Sequence, residues 1–255
     1  MRQFLLGTGL FLFYGLCFFT SCQSGYKIHT INVSVVKMDS TWDSSLDRHT
    51  VSLIDLYKAM LDSTMNSVIG KSAIPMPVER PESLLPNLVV DVMRDAATSV
   101  LGKSVDIGLL TMGGIRTILS EGDITVGNVY EILPFENSLC VLTLKGSVVK
   151  LLMENIATTG GEAVSNVRLT ISGTNQIRSA LVGGKPIEDD RLYTLATINY
   201  LAEGNDRMTA LTQCESRRCF DEITIRDLFM DYVKKQTVAG RSLTSRIEGR
   251  VIFEK

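Results

Sequence analysis

Residues 109–137 read LLTMGGIRTILSEGDITVGNVYEILPFEN, and no other stretch constrains the fold as much. The apolar run at 105–110 has the pattern of a buried strand and ends at Thr111-Met112, before Gly113-Gly114. Paired glycines after such a run predict a tight turn at the edge of a sheet. Arg116 follows the turn, Gly122-Asp123 marks a second turn, and Thr125 is placed to cap a short helix over 126–132. Pro134 closes that segment, and Phe135, Glu136 and Asn137 come directly after it. Two loops therefore gather bare glycine backbone, a guanidinium, an aromatic ring and an amide. A guanidinium suits a phosphate or carboxylate, and a ring suits a flat base. On residue types alone, a packing turn with a nearby arginine explains the stretch better than a ligand site does.

The chain has 255 residues, enough for one large domain or two small ones. Apolar content of 45% with 21% charged residues is that of a globular protein. A net charge of −2 with no basic cluster argues against nucleic acid as a partner. At the start, Arg2 precedes an apolar run over 4–19, which ends in Phe19-Thr20-Ser21-Cys22. Small residues before a cysteine resemble a bacterial lipobox, so residues 1–22 are expected to be a signal peptide with Cys22 as the lipidation site. A plain signal peptide or an uncleaved anchor is the alternative. Lipidation would hold the protein on a membrane outside the cytoplasm, facing the periplasm rather than the cell surface. Of the remaining cysteines, Cys140 lies in an apolar run and is expected to be a buried small hydrophobe. Cys214 and Cys219 flank four polar residues in an expected loop, where a local disulfide and free thiols are both open. No second cysteine or histidine pair stands near enough for zinc.

The mature chain divides into an extension, residues 23–69, and a main domain, residues 70–255. In the extension, alternation of Ile31, Val33 and Val35 predicts a strand over 30–38. Val51, Ile54, Tyr57, Leu61 and Met65 predict a helix over 50–67 that docks on the domain. Pro75, Pro77 and Pro81 then interrupt regular structure. Ser83 opens a helix whose first turn tolerates Pro86. Further along, strands are expected at 139–144 and 193–198, and as a pair at 167–172 and 176–182. Helices are expected over 147–155 and after Thr224, with a closing strand within 246–253. Short strands of mixed spacing among helices imply an α+β fold, a mixed β-sheet with packed helices.

The ordered string GGIR…GDIT…GNVY…LPF-x-N, followed by a strand and L-x-G at Leu144–Gly146, resembles the C-terminal domain of the 5′-nucleotidase/UDP-sugar hydrolase family. The resemblance covers about residues 70–254. A second stretch, Asn199-Tyr200-Leu201-Ala202 through Gly204-Asn205-Asp206, is similar to the family's N-[DN]-F-L-A-x-G-G-D-G, whose aromatic and aspartate meet the nucleoside. The resemblance implies that Phe135 and Tyr200 stack a base and that Arg116 meets phosphate or ribose. It also implies that Asn137 and Asp206 take polar edges beside the Gly113-Gly114 turn. Glu82-Ser83-Leu84-Leu85-Pro86-Asn87 aligns with the family's E-S-x-L-G-N, with proline in place of glycine. The family's phosphate-reaching arginine falls at Glu79, next to Arg80, which makes Arg80 a possible phosphate contact. Other departures are Thr111 for asparagine, and Glu136, Asn166, Asn205 and Arg207 for glycines. Thr111 has the shorter polar reach, and Glu136 brings negative charge toward an anionic ligand.

Members of this family hydrolyse phosphoesters at a two-metal centre in a separate N-terminal domain. This chain has two histidines, His29 and His49, and no G-N-H-[DE], G-H-x-H, P-loop or G-x-S-x-G motif. No catalytic residue, metal ligand or cofactor is therefore expected in it. The resemblance implies a nucleotide- or nucleoside-recognition domain acting with a separate metallophosphatase subunit, which would bring divalent metals, in extracytoplasmic nucleotide catabolism. The alternative is a non-catalytic lipoprotein that uses the same fold to bind a ligand or a protein.

Overall fold

The structure is a computed structural model that describes residues 28–41, 47–174 and 176–254. The expected signal peptide and its lipidation site, Cys22, lie outside the described residues. Among the described residues, no helix is long and apolar enough to cross a membrane. The chain divides into two compact units, Met1–Val51 and Ser52–Lys255.

In the first unit the expected strand over 30–38 is absent: residues 31–38 have no assigned secondary structure, and Val33 and Val35 are 81% and 87% exposed. Alternation alone does not make a strand, because a strand needs a ladder to satisfy its backbone. Helix α1 (Arg48–Met65), most of which belongs to the second unit, forms where the spacing predicts one, but none of its residues is buried. The expected docking of its apolar face is thus not seen: Leu53, Ile54, Tyr57, Met60 and Leu61 are all exposed.

The second unit is α+β, with mixed sheets and packed helices. Strand β1 (Val68–Ser72) pairs antiparallel with β3 (Gly122–Thr125), so Gly122-Asp123, expected as a turn, is paired backbone. Helix α2 (Leu84–Leu101) starts at Ser83, whose hydroxyl donates to the Pro77 carbonyl instead of capping the helix. Pro86 sits in the first turn, where no intrahelical N–H is needed. Strand β2 (Ile107–Leu110) is buried along its whole length. Helix α3 (Val126–Ile132) has the predicted cap: Thr125 and Asn128 exchange side-chain and backbone hydrogen bonds in a capping box. Strand β4 (Ser138–Lys145) leads through Gly146 into α4 (Gly146–Thr158). Gly146 is required by space, since a Cβ there would stand 1.8 Å from the Glu188 carbonyl oxygen.

The remaining elements are β5 (Ala163–Ser165), β6 (Val167–Ser172), β7 (Ile177–Val182), β8 (Lys185–Pro186), β9 (Leu192–Ile198), the short α5 (Asn199–Ala202), β10 (Ser216–Thr224), α6 (Ile225–Val238) and β11 (Val251–Glu254). The central sheet has the order β10-β4-β9-β2-β5, and a second sheet has the order β11-β6-β7-β8. Helix α2 packs on β2 and β5 and against α6, which also covers β1.

Two expectations about cysteine are overturned. Cys219 is not in a loop but in β10, directly opposite Cys140 of β4, and the two form a disulfide. Cys140 is therefore not a free buried hydrophobe, and among the described residues Cys214 is the free thiol. Spacing suggested the local pair, but the sheet register places Cys140 and Cys219 side by side across 79 residues.

Candidate functional site

Three neighbouring strands bring the predicted residues to one edge of the central sheet. Strands β2 and β9 are parallel, with Gly108 opposite Ala196, so their C-terminal ends point the same way. Strand β4 runs antiparallel to β9, with Leu139 opposite Ile198, so its start lies at that edge too. Thr111 and the glycine turn follow β2, Tyr200 follows β9, and Asn137 precedes β4. A pocket of about 360 Å³ opens there, lined by Thr111, Gly113, Gly114, Arg116, Phe135, Asn137, Tyr200 and Asp206. All seven residues expected to meet a nucleoside line this one pocket, and Thr111 joins them.

The glycine turn is a 3-10 turn, Met112–Gly114, in which neither glycine has a positive φ. A Cβ on Gly113 or Gly114 would meet only Thr111, at 3.5 and 3.3 Å. Backbone conformation does not call for glycine here. Its effect is to keep this side of the pocket bare, so that a ligand can approach the main chain. The turn is fixed from behind by Glu162, whose buried carboxylate accepts from the Met112 N–H at 2.7 Å and from Arg80 Nη2 at 2.8 Å. Arg80 is thus bound to Glu162 and is not among the residues lining the pocket.

Two aromatic rings stand on the pocket, half exposed: Phe135 at 51% and Tyr200 at 41%. Large rings are commonly buried unless a partner covers them, so exposure of both on one concavity fits stacking on a flat group. Asp206 lies beside Tyr200. Its Oδ2 accepts from the Thr111 hydroxyl at 2.7 Å and its Oδ1 from the Tyr200 hydroxyl at 3.1 Å. The carboxylate, by accepting that hydrogen bond and by its charge, holds the Tyr200 phenol above its ordinary pKa. Asp206 and Arg207 both have left-handed backbone, φ +50° and +66°, so Arg207 takes the kind of conformation that suits the glycine expected there. Asn166, another expected glycine position, also has φ +60°, and its amide donates to the Asp106 carbonyl at 2.7 Å.

Just after the glycine turn, the Arg116 N–H donates to the Ile132 carbonyl at 2.9 Å and its Nη1 to the Gly113 carbonyl at 3.1 Å. Its side chain is exposed, leaving donors for an anion. Asn199 joins the two halves, since its Oδ1 accepts from the N–H groups of both Ser138 and Tyr200. Glu136 does not line the pocket: it pairs with Arg226 at 3.1 Å. The supports Glu162 and Arg226 are not evident from the sequence, where nothing marks them as neighbours of the pocket. Among the described residues, no group of three His, Cys, Asp or Glu side chains is placed to hold a metal ion.

Residues 68–213 match the family model for the 5′-nucleotidase, C-terminal domain. The chain is 28% identical to the 5′-nucleotidase precursor of Thermus thermophilus, whose crystal structure superposes with a TM-score of 0.70 over 80% of this chain and 43% of that one. It is 25% identical over 240 residues to the trifunctional nucleotide phosphoesterase protein YfkN of Bacillus subtilis, covering 86% of this chain and 16% of that protein. It is also 26% identical over 193 residues to the cell wall protein Lmo0130 of Listeria monocytogenes, covering 69% of this chain and 24% of that protein. The chain spans less than half the length of each of these three.

Proposed function

We propose that this chain, which belongs to the 5′-nucleotidase C-terminal-domain family, recognises a nucleotide or nucleoside in the pocket at the β2–β9–β4 edge. The observation that carries this reading is the pair of half-exposed rings, Phe135 and Tyr200, on a pocket that also holds Arg116 and Asp206. Stacking of a base against an aromatic ring contributes about 1–3 kcal/mol per ring and tolerates any base. Arg116 takes phosphate or ribose oxygens, and Asn137 and Asp206 take the polar edges.

Hydrolysis of such a ligand in this family uses a two-metal centre, and the described residues supply no donor set that fits one. In this reading the metals and the attack on phosphorus belong to a metallophosphatase partner, and this chain sets what is bound. The exposed apolar face of α1 supports a partner. So does the extent of the YfkN match: 86% of this chain is more than residues 68–255 supply, so the likeness runs back into α1 in a far longer protein.

We place the protein outside the cytoplasm, anchored through Cys22. The Cys140–Cys219 disulfide and the likeness to a cell wall protein support this placement. The test is calorimetry on the purified chain with adenosine, AMP, UMP and a UDP-sugar, with Mn²⁺-dependent hydrolysis followed in the same samples. Binding without turnover is expected. Turnover by the chain alone would overturn the assignment of chemistry to a partner, and absence of binding would overturn recognition.

A further inference from the structure

We infer that Arg226 is a positioning residue for the Phe135 wall: it clamps the loop at residues 133–137 from behind and so tunes affinity for the flat part of a ligand. The inference rests on the nucleotide-recognition reading and adds to it the device that holds one wall in place.

Arg226 is the second residue of α6 and is 6% exposed. Its Nη1 donates to the Leu133 carbonyl at 3.3 Å and to the Pro134 carbonyl at 3.2 Å. Its Nη2 donates to Glu136 Oε1 at 3.1 Å. The guanidinium lies 4.2 Å from the centroid of the Tyr130 ring. One residue earlier, the Ile225 N–H donates to the Asn137 carbonyl at 3.0 Å. The start of α6 thus holds the loop at residues 133, 134, 136 and 137. Phe135 stands between these anchors, with its ring on the pocket.

A planar fork serves two carbonyls and a carboxylate while stacking on a ring, which an ammonium cannot do. A buried guanidinium also needs such partners to offset its lost hydration. Glu136 is its ion-pair partner among the described residues, and that carboxylate is 83% exposed. The charge that the sequence places beside an anionic ligand is therefore turned toward Arg226. The gain for binding is preorganisation: a ring already held in its bound position loses less freedom when a base stacks on it.

The test uses the full chain purified in detergent, with Arg226→Met, Arg226→Lys and Glu136→Gln. AMP is compared with ribose 5-phosphate, which keeps the sugar and the anion and lacks the base. Arg226→Met and Arg226→Lys are expected to weaken AMP at least tenfold and ribose 5-phosphate less than twofold. Glu136→Gln, which removes only the exposed charge, is expected to weaken AMP about threefold. In parallel, fluorine NMR of protein carrying 4-fluorophenylalanine, with the Phe135 signal identified by Phe135→Leu, reports the ring without any ligand. One narrow Phe135 signal is expected in the native chain, and a broadened or split one in Arg226→Met. An unchanged Phe135 signal, or equal losses for the two ligands, would overturn the clamp. If the native chain binds neither ligand but the Phe135 signal responds as expected, the clamp stands and the nucleotide reading falls.

Discussion

Thr111 and Asp206, 95 residues apart in the chain, are joined by a hydrogen bond of 2.7 Å from the threonine hydroxyl to Oδ2. The family's asparagine is absent at residue 111, yet its replacement takes up a definite task, which is to fix the acid that borders the Tyr200 ring. A hydrogen bond to a charged group contributes roughly 1.5–3 kcal/mol net, and less where solvent competes. Thr111→Val, which keeps the shape, is therefore expected to weaken adenosine about fivefold by calorimetry, while Thr111→Ser retains native affinity.

The two rings should be separable by substitution. Phe135→Ala and Tyr200→Ala are each expected to cost about 1–3 kcal/mol of nucleoside binding. Tyr200→Phe should keep the stack and lose only the bond to Asp206. Native affinity in both alanine variants would sink the slot.

The Tyr200 phenol titrates above its ordinary value because its proton is shared with the Asp206 carboxylate and the anion would face that charge. Its raised value favours the folded state at pH below the ordinary phenol value of 10.0, and that contribution fades as pH rises through the folded value. Absorbance titration near 295 nm, taken as the difference between native protein and Tyr200→Phe, should show a late-titrating tyrosine. In Asp206→Asn that step should move to lower pH.

Glu248 accepts hydrogen bonds from Arg246 at 2.7 Å and from Arg250 at 2.9 and 3.0 Å, which holds its carboxyl below the ordinary 4.5. A depressed acid stabilises the fold above its unfolded pKa, and the contribution is lost as pH falls through the folded value. Denaturant melts of the native chain should therefore lose stability below about pH 4.5 more steeply than those of Glu248→Gln.

Gly146 offers a sharper test of packing. A methyl group there would overlap the Glu188 carbonyl, so the start of α4 and the loop between β8 and β9 would have to move apart. Overpacking of this kind costs about 1–3 kcal/mol or more. Gly146→Ala should lower the melting temperature by several degrees, with no selective effect on ligand binding.

Elements carried by periodicity or capping were legible in the sequence. The helix after Ser83, the Thr125 cap, the buried strands β4 and β9 and the β6–β7 pair all appear close to where the residues put them. The pocket was legible because glycine, arginine and aromatic residues keep their order along the chain, and sheet order then brings them together. Strand β10 was not legible: Arg217, Arg218, Asp221 and Glu222 leave no alternation, as expected for an exposed edge strand. The Cys140–Cys219 pairing depends on that strand's register, and so was hidden with it. The supports Glu162 and Arg226 act across long sequence separations, at 50 and 93 residues from the groups they hold, and no local pattern encodes such contacts.

The Cys140–Cys219 bond turns residues 140–219 into a closed covalent ring. Tyr200 and Asp206 belong to that ring, while Arg116, Phe135 and Arg226 lie on the two tails that leave it. The tails depart from adjacent strands, one carrying a wall of the pocket and the other the arginine behind that wall. A single backbone break anywhere in the ring would leave both aromatic walls on one covalently connected molecule. In an environment rich in proteases, the pocket would thus outlast the continuity of the chain that built it.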